Sequence, residues 1–157
     1  MRTSTKRLLA AGFLGVLIGV VQVALAQSSN SEVGTWKLNV AKSKGSTLKS
    51  GTSKIEATGA GVKVTVDGVE AKGAVVRHWE YTASDDGKDN PVVGNNPNSD
   101  MVARTRINAS TIKMVNKRGG KVISTQTSVV SSDGKTRTIT TTGTNGQVNN
   151  VLVFDKQ

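Results

Sequence analysis

The chain has 157 residues, with 21 Lys and Arg against 11 Asp and Glu for a formal net charge of +10, one histidine and no cysteine. The missing cysteine excludes disulfides, thiol catalysis and thiolate metal sites, and a lone histidine excludes multi-histidine zinc centres. Packing and hydrogen bonding must therefore hold any fold together.

In chain order, Arg2, Lys6 and Arg7 precede an uncharged apolar stretch from Leu8 to about Val23, which ends in Ala24-Leu25-Ala26 before Gln27. A basic start, an apolar core and a small-x-small site read as a cleavable signal peptide over residues 1–26. The apolar stretch is shorter than the roughly 20 residues of a permanent span, so no integral membrane segment is expected after cleavage. The expected destination is the periplasm or the medium. Residues 27–157 suit a single domain with its own core. Setting Arg2, Lys6 and Arg7 aside leaves 18 Lys and Arg against 11 acids, a net +7. That balance favours anionic partners, which outside the cytoplasm means an envelope polymer such as lipopolysaccharide or acidic polysaccharide, or acidic lipid. Nucleic acid is not expected, because the basic residues lack interleaved aromatics on which bases stack.

Short alternating segments separated by Gly, Asp-Gly and Asn-rich turns predict an all-β meander. Trp36, Leu38 and Val40 alternate with Thr35, Lys37 and Asn39, one face buried and one wet. Ala41 to Thr52, rich in Lys, Ser and Gly, reads as a linker. Ile55 and Ala57, then Val62, Val64 and Val66, form a hairpin across Gly59-Ala60-Gly61, and Asp67-Gly68 offers a tight reversal. In the next strand, Val75 to Ala83, the residues Val75, Arg77, Trp79 and Tyr81 share one face, and Val76, His78, Glu80 and Thr82 the other. Ser84 to Asp100, crowded with Asp, Asn, Gly and Pro, reads as an extended loop with at most a short strand near Val92 and Val93. Five strands follow, near Val102 to Asn108, Thr111 to Lys117, Lys121 to Val130, Thr136 to Thr142 and Val148 to Lys156. Their short turns, at Asn108-Ala109-Ser110, Arg118-Gly119-Gly120, Asp133-Gly134 and Asn145-Gly146, join antiparallel neighbours. An antiparallel up-and-down meander of about eight to ten strands with no covering helix must hide its edges, and closure into a barrel does so most completely. A two-sheet β-sandwich satisfies the same alternation.

The strand Gly34-Thr35-Trp36-Lys37-Leu38 resembles the opening G-x-W strand of the lipocalin and fatty-acid-binding-protein group, and Val151-Leu152-Val153-Phe154-Asp155-Lys156 resembles the closing strand of the fatty-acid-binding branch. With Asn39 and Ala41-Lys42-Ser43-Lys44 added, the opening also resembles a group of small exported bacterial proteins. The resemblance implies a lipocalin-like (calycin) barrel holding a small apolar or amphipathic ligand. The Arg-x-Tyr carboxylate clamp of the fatty-acid-binding branch is absent: those positions hold Leu152 and Phe154. Its two-helix lid falls on the Ala41 to Thr52 linker.

Turning to chemistry, His78 lies mid-strand and no G-x-S-x-G elbow exists, so a catalytic triad has no framework. A non-catalytic protein without cofactor or metal is expected. If the register turns Arg77, Trp79 and Tyr81 inward, they join a cation to two aromatic walls and form a ligand site. In the other reading Trp79 and Tyr81 are core mass and Arg77 extends over them into water. Trp36 reads as a plug across one barrel end, with Phe154 a structural partner in the closing strand. Asp85, Asp86, Asp89, Asn95, Asn98 and Asp100 match no calcium-loop spacing and read as turn residues. The two functional expectations are an exported small-molecule carrier and, alternatively, an envelope-associated structural or interaction protein whose basic surface binds anionic glycans or lipids.

Overall fold

Alternation of apolar and polar residues gives extended segments one buried face each, and such segments reach stability only by pairing side by side. In the computed structural model, which describes residues 30–72 and 76–157, they pair into one antiparallel sheet of eleven strands. These are β1 (Gly34–Leu38), β2 (Leu48–Thr58), β3 (Gly61–Glu70), β4 (Val76–Ala83), β5 (Asp86–Pro91), β6 (Val93–Gly94), β7 (Met101–Asn108), β8 (Thr111–Arg118), β9 (Lys121–Val130), β10 (Thr136–Gly143) and β11 (Val148–Lys156). The spatial order is β5-β7-β8-β9-β10-β11-β1-β2-β3-β4-β6. Every long strand lies beside its sequence neighbour, and β1 joins the last strand to the second. The result is a meander rolled into a nearly closed barrel, not two stacked sheets. The signal-peptide reading and Val75 lie outside the described residues. Among the described residues no helix is long and apolar enough to cross a membrane.

The inward faces follow the alternation. Trp36 and Leu38 of β1, Ile55 of β2, Val62 and Val64 of β3, Tyr81 and Ala83 of β4, Ile112 and Met114 of β8, Ile139 of β10 and Phe154 of β11 form the buried core. Opposed residues share a face, so the register Trp36↔Ser53, Ser53↔Val66 and Val66↔Trp79 carries one inward row across four strands. Several turns act as expected. Gly119 and Gly120 have φ of +55° and +76°, the positive values that a two-residue hairpin turn requires.

Four local expectations are corrected. Val40 lies beyond the end of β1 and is exposed, because the chain there turns back toward β11. The linker expected from Ala41 to Thr52 ends early, since Leu48 to Thr52 already belong to β2 and pair with Asp67 to Glu70. For the same reason Asp67-Gly68 is not a turn: β3 runs through it, and Gly68 leaves room for the Leu48 side chain, whose methyls lie 3.4 Å from where a Cβ would stand. The loop expected from Ser84 to Asp100 supplies two short strands, β5 on β7 and β6 on β4, which cover the two ends of the sheet where the barrel nearly meets.

The loop after β1 is tied to the closing strand through Asp155. Asn39 Nδ2 donates to Asp155 Oδ2 at 2.6 Å, and Lys42 lies 3.5 Å from Oδ1. The Asn39 hydrogen bond, helped by the Lys42 charge, holds the Asp155 carboxyl below its ordinary 3.8. A depressed carboxylate stabilises the fold fully above the unfolded value and loses that contribution as pH falls through the folded one. A carboxyl-carbon NMR titration is expected to place Asp155 below 3.8, and Asn39→Ala to bring it back toward that value. An unchanged midpoint in the variant would show that the contact has no electrostatic weight.

Candidate ligand cavity and its buried charge cluster

In a meander all turns alternate between two ends, so the side chains near each end decide whether that end is shut. At the end holding the start of β1, the segment before the strand folds across the opening, with Ser31 Oγ donating to the Ala109 carbonyl at 2.9 Å. This places Glu32 inside the barrel with no exposed surface. Trp36, also fully buried, donates from Nε1 to the Glu32 carbonyl at 2.7 Å, while Lys156 sits over its ring, 5.1 Å from the centroid. Trp36 thus packs across this end, beneath Glu32.

The Glu32 carboxylate organises a charge cluster. Its Oε2 accepts from Arg104 Nη2 at 2.7 Å, and its Oε1 accepts from Ser128 Oγ at 2.8 Å. Arg137 Nε donates to Ser128 Oγ at 2.9 Å and lies 3.6 Å from Glu32 Oε1, and its Nη1 donates to Ser53 Oγ at 3.2 Å. On the far side, Arg104 Nε donates to Asp85 Oδ1 at 2.9 Å, and Arg106 Nη2 reaches Asp85 Oδ2 at 2.6 Å. Three guanidinium groups therefore share two carboxylates, and the shortfall falls on Arg137.

The acid-base balance of the two buried arginines reflects this. Burial works against the charge on Arg104, but Tyr81 and the directly bonded Glu32 outweigh it, and the pKa is held above the ordinary arginine value. For Arg137 burial wins: Glu32 offsets only part of it, Arg104 adds like-charge repulsion, and the pKa is lowered. No hydrogen bond runs from Arg137 Nη2 among the described residues. Arg137 also lines a cavity.

That cavity, about 120 Å³, lies inside the barrel above the cluster. Its walls are Leu48, Val64, Val66, Trp79, Tyr81, Met114, Ile139, Leu152 and Phe154, with Ser53, Gln126 and Arg137 as the polar side chains among its inner residues. The Arg137 guanidinium stands 6.0 Å from the Phe154 ring centroid. A second compartment of about 80 Å³ shares Trp79, Tyr81, Met114 and Gln126 with the first and continues toward the loop before β7, where Asn96, Asn98 and Ser99 line it. A broader groove of about 260 Å³, bordered by Lys37, Lys49, Val69 and Val76, is more open and has no buried charge.

The sequence-predicted residues divide. Trp79 and Tyr81 face inward and line both compartments. Arg77, on the same face but nearer the strand end, bonds Glu70 and is not a lining residue of either compartment. His78 faces outward and opposes Asp67 across β3 and β4, Nδ1 to Oδ1 at 2.7 Å, both side chains exposed. Asp85 bonds two arginines, Asp89 pairs with Lys117, and Asn95 bonds the β4 backbone at Val76 and His78. Among the described residues no group of three or more His, Cys, Asp or Glu is placed to hold a metal ion.

Glu32, Arg104 and Arg137 are new to the site. A signal for the arginines existed: Arg104 alternates with Val102, and Arg137 with Ile139, so each stood on an apolar face. Glu32 had none, since it precedes the first strand. Comparison with family models, with curated proteins and with solved structures finds no match to this chain. The functional reading therefore rests on the cavity's own chemistry.

Proposed function

We propose that the chain is an exported lipocalin-like barrel that binds a small amphipathic molecule, with its apolar body between Trp79, Tyr81 and Phe154 and an acidic group on Arg137. The observation that carries this reading is Arg137 itself: a buried cation on an apolar cavity, short of carboxylate partners, with one guanidinium nitrogen uncommitted. A buried charge of this kind is costly unless paired, and an incoming anion supplies the missing partner. The cavity also limits the size of its guest. An apolar cavity of about 150 Å³ accepts benzene, and typical ligand pockets begin at roughly 300 Å³, so a single ring needs the first compartment of about 120 Å³ together with part of the adjoining 80 Å³, and a long acyl chain does not fit.

The surface charge suits the same role. Lys44, Lys49, Lys72, Arg118 and Lys121, none in an ion pair among the described residues, stand in or beside the turns at the end opposite Glu32. Such a rim draws anions toward that end. The one histidine points away from the cavity, which supports binding over turnover.

Calorimetric titration with benzoate and with benzyl alcohol tests the reading. Benzoate is expected to bind the processed protein, and Arg137→Met to weaken it by about ten- to a hundredfold, the worth of a charge-assisted hydrogen bond. Benzyl alcohol is expected to change by less than about threefold, because apolar contact is retained. Absence of benzoate binding, or equal losses for both compounds, would reject the assignment.

A further inference from the structure

The second compartment differs in kind from the first. Asn116 and Ser124 line it, each only 9% exposed, and Asn116 Nδ2 donates to Ser124 Oγ at 3.2 Å. Gln126, at the junction, donates from Nε2 to Thr141 Oγ1 at 3.2 Å. Among the described residues nothing donates to Asn116 Oδ1 or Gln126 Oε1, and no lining residue of this compartment carries a charge. Among the described residues the one fully buried side-chain polar atom without a partner is Asn150 Oδ1, so these two amide oxygens keep accessible surface, where a partner can enter.

The strand register sets the distance between the two polar regions. Ser128, which bonds Arg137, and Ser124, which bonds Asn116, both face inward on β9, four residues apart. At about 3.3 Å per residue that is roughly 13 Å along the strand, shortened by the Arg137 side chain reaching into the space. Met114 and the two aromatic rings fill the interval between cation and amides.

We infer that the ligand is bifunctional: opposite its acidic group it carries a neutral hydrogen-bond donor, a hydroxyl or amide N–H, received by Asn116, Ser124 and Gln126. This rests on the reading of the cavity given above and adds its specificity. A plain carboxylate brings these acceptors no donor. A hydroxyl donates to Asn116 Oδ1 or Gln126 Oε1 while its oxygen can accept from Ser124. A second anion is disfavoured, since the compartment offers no cation to balance it.

The test compares matched pairs on the unmodified protein: benzoate with 4-hydroxybenzoate, and octanoate with 8-hydroxyoctanoate. At least one hydroxylated member is expected to bind about tenfold more tightly than its parent, the worth of one or two buried hydrogen bonds. In the Asn116→Leu, Ser124→Ala double variant that advantage is expected to fall to about threefold or less, what Gln126 alone supplies, while parent affinity stays within about threefold, because the shape is nearly kept and polar groups are removed. If the parents bind and hydroxylation brings no gain in either pair, the second specificity is refuted and the carboxylate reading stands. An advantage undiminished in the folded double variant refutes the assignment to these residues. If neither parents nor hydroxylated compounds bind, both readings fall together.

Discussion

Glu32→Ala is expected to lower the unfolding free energy by about 3–5 kcal/mol, the usual penalty for leaving a buried charge without its partner. Glu32 is the one carboxylate in the cluster with no exposed surface, and its two oxygens serve Arg104 Nη2 and Ser128 Oγ while facing Arg137 Nε. Removing it leaves two guanidinium groups enclosed by the barrel with only Asp85, at the margin, to balance them. Glu32→Gln keeps the shape and one acceptor, so its loss should also be large, dominated by charge. Urea unfolding measures both. A loss below about 1 kcal/mol for alanine would mean that water reaches the cluster and solvates it.

Trp36→Ala is expected to cost about 3–5 kcal/mol through the cavity left at the closed end. Two further effects act there. The Glu32 carbonyl loses its indole donor at 2.7 Å, and Lys156 loses the ring it lies over. Because the indole holds the backbone of Glu32, the two substitutions act on one unit, and the double variant is expected to lose less than the sum of the singles. Strict additivity by denaturant unfolding would contradict the mechanical link between plug and cluster. Trp36→Phe separates packing from hydrogen bonding: it retains most of the volume and removes the donor, for an expected loss of about 1–3 kcal/mol.

These effects bear on function because the cluster joins the shut end to the cavity. Glu32 and Trp36 seal the barrel below, Arg137 belongs to both the seal and the cavity floor, and the basic residues stand at the other end. On the binding role proposed above, variants of Glu32 should therefore change benzoate affinity as well as stability. Variants of Lys44 or Lys72 should touch neither the cluster nor the core.

Most of the strand plan was legible from residue order. From β7 to β11 the expected and observed segments agree to within one residue, because each is eight to ten residues long and the turns that join them contain Gly or Asn. Legibility failed where tertiary contact overrides local signals. Asp67-Gly68 carries strong turn chemistry, yet pairing on both sides by β2 and β4 and the Leu48 contact keep it extended. The polar run Asp86 to Pro91 has no apolar alternation, and it forms a strand because β7 offers it an open edge.

The same division holds for the site. Alternation alone put Trp79 and Tyr81 on a common face and marked Trp36 as a large ring early in the meander. Which face turned inward depended on how eleven strands closed, since a one-residue shift of register exchanges the two sides. The charge cluster lay further out of reach: Glu32, Asp85, Arg104 and Arg137 stand as far as 105 positions apart, and no short-range pattern links them. Residue order determined an all-β meander and the inward or outward pairing within each strand, because those follow from a period of two along one segment. Only the closed barrel decided which charges meet, because burial converts distant side chains into obligatory partners.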